Sequence, residues 1–408
     1  MRRLWLYAIL AIGIALTLGL ASKKAWSGDV TMTKQSPAAA QPDATTIGGE
    51  PVVTLARPRP ADRSKPQFLE ATLLPGRGMN LLQVKAWLPG KGEMELIGSP
   101  SVADAKQLLD NGGDAFGNRA FTIGSAILLP YANRIRGTLS PDGKTIKTTI
   151  AGKQVGLPAN WQGKNPGAEK HAMHGLILAA KFEHVKHHDG PAASSVSGIL
   201  HAGNFGGHWL SRTDVSVRTT LKNSVLEMTV TAKNVGKEPL PMGIGAHPYF
   251  IFPSGDRQQA RLRLPCEMRA PANNYDDVFP TGQLVPVKGT PYDFTAPGGA
   301  PLGRTFLDDS FTRVKRNANG TAVVEVIDPA ANYGLRIVAL SPEIKAFQVY
   351  APVDKNFVAV EPQFNLVDPY NKKVWGKTGT GMVLLRPGQS VSWHIRLELF
   401  TPAAPGAH

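Results

Sequence analysis

Ser390-Val391-Ser392-Trp393-His394-Ile395-Arg396-Leu397-Glu398-Leu399-Phe400 alternates apolar and polar side chains from end to end. In an extended chain Val391, Trp393, Ile395, Leu397 and Leu399 share one face, and Ser392, His394, Arg396 and Glu398 share the other. A period of two marks a half-buried β-strand. Met382 to Leu385 and the turn formers Arg386-Pro387-Gly388-Gln389 precede it, which predicts a terminal hairpin. The rhythm returns from Asp214 to Val235, with Val215 and Val217, then Leu226, Met228 and Val230 around a turn at Asn223-Ser224. It returns again in Thr321 to Ile327 and Leu335 to Leu340. The chain has 42 glycines and 33 prolines, which punctuate short strands, and shows no long amphipathic helical pattern beyond its N-terminal apolar run. The expected class is all-β, a large antiparallel β-sandwich.

Outward from that domain, the N-terminus carries Arg2 and Arg3, an apolar run from Leu4 to Ala21, and then Ser22-Lys23-Lys24. Residues 1–27 therefore read as a signal peptide or an uncleaved membrane anchor, and the expected location is exported, periplasmic or extracellular. No cysteine follows the run, so a lipid anchor there has no attachment point. Residues 28–66 are rich in Ala, Pro, Thr, Ser and Gly and read as a flexible linker. The folded domain is expected over 67–402, with a short tail at 403–408. Cys266 is the only cysteine, so no intramolecular disulfide can form.

The net charge is +14. Residues 1–66 hold nine Lys or Arg against four Asp or Glu, so part of the excess lies outside the domain. No basic run interleaved with aromatics occurs, which argues against nucleic-acid binding. Seven of the ten histidines fall between His171 and His208, and His184, His187 and His188 could be drawn as a metal cluster. There is no His-Glu-x-x-His helix motif and no cysteine nearby, so no metal site is expected. The glycines of Asn111-Gly112-Gly113-Asp114 and of Gly203 to Gly207 lack the strand-turn-helix context of a phosphate loop.

Four stretches concentrate the polar chemistry: Pro130-Tyr131-Ala132-Asn133-Arg134-Ile135, His171-Ala172-Met173-His174-Gly175, Ala246-His247-Pro248-Tyr249-Phe250 and Val360-Glu361-Pro362-Gln363-Phe364. His247 and Glu361 each precede a proline, which biases both to extended geometry and predicts side chains projecting from strand ends. A histidine with a glutamate supplies proton donation and acceptance near neutral pH. Each residue alone reads more plainly as a packed histidine or a solvated loop carboxylate; it is the combination that points to a site.

In order and combination these stretches resemble the aldose 1-epimerase (galactose mutarotase) family over roughly Phe68 to Leu399. Gly282 to Val287 and Thr290 to Phe294 resemble the approach to that family's substrate-binding aspartate, here Asp308, with Asp309 adjacent. Gln348-Val349-Tyr350 resembles its glutamine motif. The resemblance implies a β-sandwich with an open cleft on one sheet and interconversion of α and β anomers of a free aldohexose, such as galactose or glucose, without a cofactor. Glu361 would be the base and His247 the acid, while Asn133, Arg134, His174, Asp308 and Gln348 would bind the sugar. His247 must be protonated when Glu361 is not, and reference values of about 6.5 and 4.3 have that order. Two alternatives are a hexose-phosphate 1-epimerase of the same architecture and a non-catalytic carbohydrate-binding sandwich. The first would need extra cations for the phosphate; the second would not need the His247 and Glu361 pair. Beyond a monosaccharide, the only partner expected is a membrane, through the N-terminal apolar segment.

Overall fold

The computed structural model describes residues 45–114 and 116–402, and the N-terminal apolar run and the 403–408 tail lie outside the described residues. Two large antiparallel sheets dominate, one of eleven strands and one of nine. In the nine-stranded sheet Ser390–Phe400 lies between Val225–Asn234 and Tyr333–Ala339. Its alternation has the expected outcome: Val391, Trp393, Ile395 and Leu397 are buried while Ser390 and Ser392 are exposed. Val215, Val217, Leu226, Met228 and Val230 are buried from the neighbouring Thr213–Leu221 and Val225–Asn234 strands.

The expected terminal hairpin is not formed. Val383–Leu385 instead pairs with Leu240–Met242, far away in sequence. Both long edges of Ser390–Phe400 are already taken, so the short preceding segment has to find its hydrogen bonds elsewhere.

The linker expectation over 28–66 also needs correction from residue 45 onward, its earlier part lying outside the described residues. Val53–Ala56 is a strand paired with Gln67–Leu74, and Ile47 and Leu55 are fully buried. Ile47, Val53 and Leu55 are too few and too widely spaced by Gly, Pro and Thr to register as a periodic run, but they are enough to dock on an existing sheet.

In the eleven-stranded sheet Phe357–Gln363 runs centrally, between Ala346–Ala351 and Gly245–Ile251. Every residue of Phe357–Gln363 is buried. Val358 and Val360 join the main core with Phe347 and Val349, as do Trp393 and Ile395 of the other sheet. The intervening residues Ala359, Glu361 and Gln363 therefore face away from the sandwich core. That outer face is covered by smaller apolar groups, including a cluster of Phe121, Ala126, Leu128, Ala132, Met173 and Leu178. A strand covered on both faces carries no in-out alternation.

His247 and Glu361 lie within strands, not at their ends as expected. The two strands pair at Gly245 with Gln363 and again from Tyr249 with Ala359, and the ladder lapses over the His247-Pro248 and Glu361-Pro362 steps between. Proline has no N–H to donate, so each Pro removes a rung. The lapse falls in the middle of the sheet, beside the two residues with the most chemistry.

Candidate active site

Asn133, Arg134 and His174 come to the sheet on a small accessory layer. Arg134–Ile135 pairs with Lys170–Met173, Met173 standing opposite Arg134. The His174 N–H donates to the Asn133 carbonyl at 2.8 Å. Both residues sit in the left-handed region, with φ of 63° for Asn133 and 60° for His174. Such backbone is uncommon outside glycine and persists where surrounding contacts over-determine it. Gly175 follows with φ +80, and a Cβ there would stand 2.3 Å from the Leu129 carbonyl oxygen, so only glycine lets the chain pass.

Across the sheet, Glu361 is opposite Gln348, and Gln348 is opposite Ser310. Residues opposite one another in antiparallel strands share a face, so this row and Asp308, two residues from Ser310, all point to the outer side. Asp308 Oδ1 accepts from Gln348 Nε2 at 2.7 Å, and Gln348 Oε1 accepts from Ser310 Oγ at 2.5 Å. Arg134 Nη2 stands 3.9 Å from Asp308 Oδ2, and its Nη1 donates to Asn133 Oδ1 at 2.9 Å. His247 Nε2 is 3.4 Å from Glu361 Oε1. The His174 ring meets the His247 ring edge-on at 5.2 Å and Phe121 at 4.7 Å.

All seven residues singled out in the sequence are thus on one side of the eleven-stranded sheet or on the layer against it. None is more than 9% exposed, so they form a buried polar floor. Asn133 Nδ2, Arg134 Nε, both His174 ring nitrogens, His247 Nδ1 and Glu361 Oε2 have no hydrogen-bond partner among the described residues. Buried polar atoms are ordinarily paired, and a concentration of unpaired donors and acceptors suits a ligand rich in hydroxyls.

Burial also rearranges the charges. Desolvation, with repulsion from Asp308, holds the Glu361 carboxyl well above its ordinary range, and Arg134 offsets only part of this. Desolvation lowers His247 to about 4, and the Arg134 charge acts in the same direction. His174 is pushed well below its usual value by burial and by His247. Burial raises Asp308, with Arg134 and the Gln348 hydrogen bond opposing. The order assumed from reference values is therefore inverted, with the Glu361 carboxyl held above its ordinary range and the His247 imidazole below its own. Reference values describe solvated groups, and here both charged forms have lost their water.

The adjacent aspartates separate cleanly. Asp309 Oδ1 accepts from Arg269 at 2.9 Å and Oδ2 from the Tyr275 hydroxyl at 3.0 Å, so both oxygens are engaged away from the row. Asp308 is the one that joins Arg134 and Gln348. Asp308→Asn is expected to weaken sugar binding, raising KM by about tenfold or more through loss of a charge-assisted hydrogen bond. Asp309→Asn is expected to lower the melting temperature while leaving the monosaccharide KM nearly unchanged. Steady-state kinetics and thermal melts of the two variants check this; equal KM effects would contradict it.

Residues that the sequence reading did not single out also contribute. Ser310 fixes the orientation of the Gln348 amide; its signal was its position two after Asp308 on a strand. Phe121 packs on both histidines from the short Ala120–Thr122 turn, and nothing in its local sequence announces that. The Tyr249 ring lies tilted against His247 at 4.6 Å, two residues along the same strand. His171 is pinned, its Nδ1 against the Glu169 carbonyl and its ring edge-on to Phe279. His184, His187 and His188 lie on the edge strand Glu183–Asp189 of the other sheet. Among the described residues no three His, Cys, Asp or Glu are grouped to hold a metal.

Comparison with known proteins bears on the family and the fold. The family model described as aldose 1-epimerase matches residues 102–398. A protein of Escherichia coli strain K12, described as uncharacterized protein YphB, is 24% identical over 285 residues, 67% of this chain and 82% of its own. Among solved structures, a galactose mutarotase-like protein from Clostridium acetobutylicum superposes with a TM-score of 0.68 at 19% identity, covering 88% of this chain and 98% of that one. Galactose 1-epimerase from Lactobacillus acidophilus gives 0.58 at 15% identity, covering 86% and 99%. At these identities the superpositions establish the fold.

Proposed function

This chain belongs to the aldose 1-epimerase family, and from that premise we propose that it interconverts the α and β anomers of a free aldohexose such as galactose or glucose. The observation that carries the reading is the approach of His247 to within 3.4 Å of Glu361 on a buried floor where His174, His247 and Glu361 each keep a polar atom without a hydrogen-bond partner among the described residues. Glu361 removes the proton from the anomeric hydroxyl as the bond from C1 to the ring oxygen breaks, and His247 delivers a proton to that oxygen. The product is the open-chain aldehyde. Rotation about C1–C2 presents its other face, the ring oxygen returns its proton to His247 as it attacks C1, and Glu361 returns the first proton to O1. The catalyst ends as it began, with no cofactor in the cycle. Arg134 and His174 polarise the ring and anomeric oxygens, and Asp308, Gln348 and Asn133 hold the remaining hydroxyls.

The inverted resting charges fit this cycle. The reactive pair, carboxylate with imidazolium, holds one proton, and so does the resting pair, carboxylic acid with imidazole. The two differ only in where the proton sits, and coupled groups titrate as a unit. A sugar hydroxyl donating to Glu361 favours the carboxylate form and moves the proton to His247. Below the His247 value of about 4 the pair takes a second proton and has no base; above the raised Glu361 value it has no acid. The kcat/KM profile is therefore expected to fall on the acid side near pH 4. A loss of activity centred on 6.5, the value of a solvated histidine, would contradict it.

The activity itself is tested by polarimetry on freshly dissolved α-glucose and α-galactose. Faster approach to an unchanged final rotation supports the assignment. No acceleration across a panel of aldoses would favour a carbohydrate-binding protein without catalysis. We propose further that residues 1–27 direct export, placing the domain outside the cytoplasm, either cleaved free or tethered to the membrane. Fractionation of cells expressing the full chain tests that; a protein wholly in the cytosolic fraction would overturn it.

A further inference from the structure

Aromatic rings continue outward from the acid–base pair. His247 contacts Tyr249 at 4.6 Å, Tyr249 meets Phe357 at 5.1 Å, Phe357 meets Tyr350 at 5.9 Å, Tyr350 meets Phe306 at 6.3 Å and Phe306 meets Tyr275 at 4.8 Å. The rings surface along that path. Tyr249 is 8% exposed and Phe357 6%, Tyr350 and Phe306 are half-buried, and Tyr275 is 45% exposed. Strand geometry places Tyr249 and Tyr350 on the face that carries Glu361 and Asp308, since Tyr249 stands opposite Ala359 and Tyr350 opposite Asp308, and Phe306, just before the strand that begins at Leu307, meets Tyr350.

We propose that this ribbon is a second sugar subsite and that the substrate is the reducing-end unit of an oligosaccharide. The proposal rests on the anomer-interconverting reading of the same site. A ring whose anomeric carbon lies at Glu361 and His247, and whose distal hydroxyls reach Asp308, turns its non-reducing side toward Tyr350 and Phe306. A sugar joined through a distal hydroxyl then extends over Phe306 and Tyr275. The C–H faces of a pyranose are apolar, and partly exposed aromatic rings with polar rims match them. The outermost ring is held in place: the Tyr275 hydroxyl donates to Asp309, which is 1% exposed and is also gripped by Arg269. The two neighbouring aspartates thus serve neighbouring units, Asp308 the reacting sugar and Asp309 the platform beyond it. Contact with the second unit lies remote from the bond that breaks, so it adds binding energy without altering the chemistry.

The test compares mutarotation of glucose and galactose with that of the reducing disaccharides maltose, cellobiose and lactose, on wild type, Phe306→Ala and Tyr275→Ala. For at least one disaccharide, wild-type kcat/KM is expected to exceed that of its monosaccharide by roughly fivefold to tenfold, the effect of one well-stacked ring. Both variants are expected to abolish that advantage and to leave the monosaccharide value within about twofold, a change too small for the loss of a direct stacking contact. Should Phe306→Ala fold poorly, Tyr275→Ala makes the same comparison at an exposed ring, and the wild-type ratio needs no variant. Monosaccharides turned over as well as or better than every disaccharide, or variants that slow both classes equally, would overturn the subsite while leaving the acid–base reading intact. No acceleration with any sugar would overturn both.

Discussion

Glu361→Gln is expected to reduce kcat for anomer interconversion by about 10²- to 10⁴-fold, the usual contribution of a positioned general base. The amide keeps the shape and the hydrogen-bonding reach of the carboxyl, so sugar binding should be largely kept, and kcat and kcat/KM should fall together. Stability should move the other way. Burial raises Glu361 above its ordinary value of 4.5, so its folded-state contribution is full below that value and declines as pH rises through the folded-state value. Glutamine does not titrate. The variant should therefore gain melting temperature over wild type, and gain more at pH 9 than at pH 5. Kinetics, calorimetric titration with sugar and thermal melts at the two pH values check the three parts. Unchanged turnover would remove Glu361 from the chemistry.

Trp393→Ala is expected to destabilise the fold by about 3–5 kcal/mol, as truncation of a fully buried large aromatic does. Trp393 has no exposed surface, and its indole Nε1 donates to the Pro362 carbonyl at 2.9 Å. That contact joins the nine-stranded sheet to the eleven-stranded one at the residue after Glu361. Trp393→Phe keeps most of the apolar volume but leaves the Pro362 carbonyl without its donor, at a cost of about 1–3 kcal/mol. Because the freed carbonyl belongs to the peptide beside the base, the phenylalanine variant should also lose kcat beyond what its stability explains. A misplaced reacting group is penalised steeply, by up to about 10²-fold for a shift on the order of 1 Å. Denaturant melts and initial rates of the two variants measure this. A Phe variant with full kcat would show that the indole serves packing alone.

How much of this could be read from the sequence depends on which faces of a strand meet solvent. Ser390–Phe400 has one dry face and one wetter one, so its alternation names it as a strand and identifies its core residues. Phe357–Gln363 is dry on both faces, and nothing in Phe-Val-Ala-Val-Glu-Pro-Gln shows that Glu361 is an interior strand residue and not a loop carboxylate. The pairing of Val383–Leu385 with Leu240–Met242 is a long-range choice among three-residue segments, which local pattern does not encode. The four motif stretches hold five of the seven polar floor residues; Gln348 and Asp308 came with the family resemblance, which left Asp309 as a rival beside Asp308. Neighbours on a strand point to opposite faces, and only the assembled sheet shows which face carries Arg134. The upward shift of Glu361 was equally out of reach, because it follows from burial and not from residue type.

The central claim is that the buried pair of Glu361 and His247 opens and recloses an aldose ring. Exchange NMR on sugar labelled at C1, held at anomeric equilibrium near pH 7, tests it most directly because it reads the interconversion itself with no net reaction. Wild type should produce exchange cross-peaks between the α and β anomeric signals of at least one aldose, while Glu361→Gln binds the same sugar and produces none above buffer. Exchange that persists in Glu361→Gln, or wild type that binds aldoses and exchanges none of them, would contradict the claim.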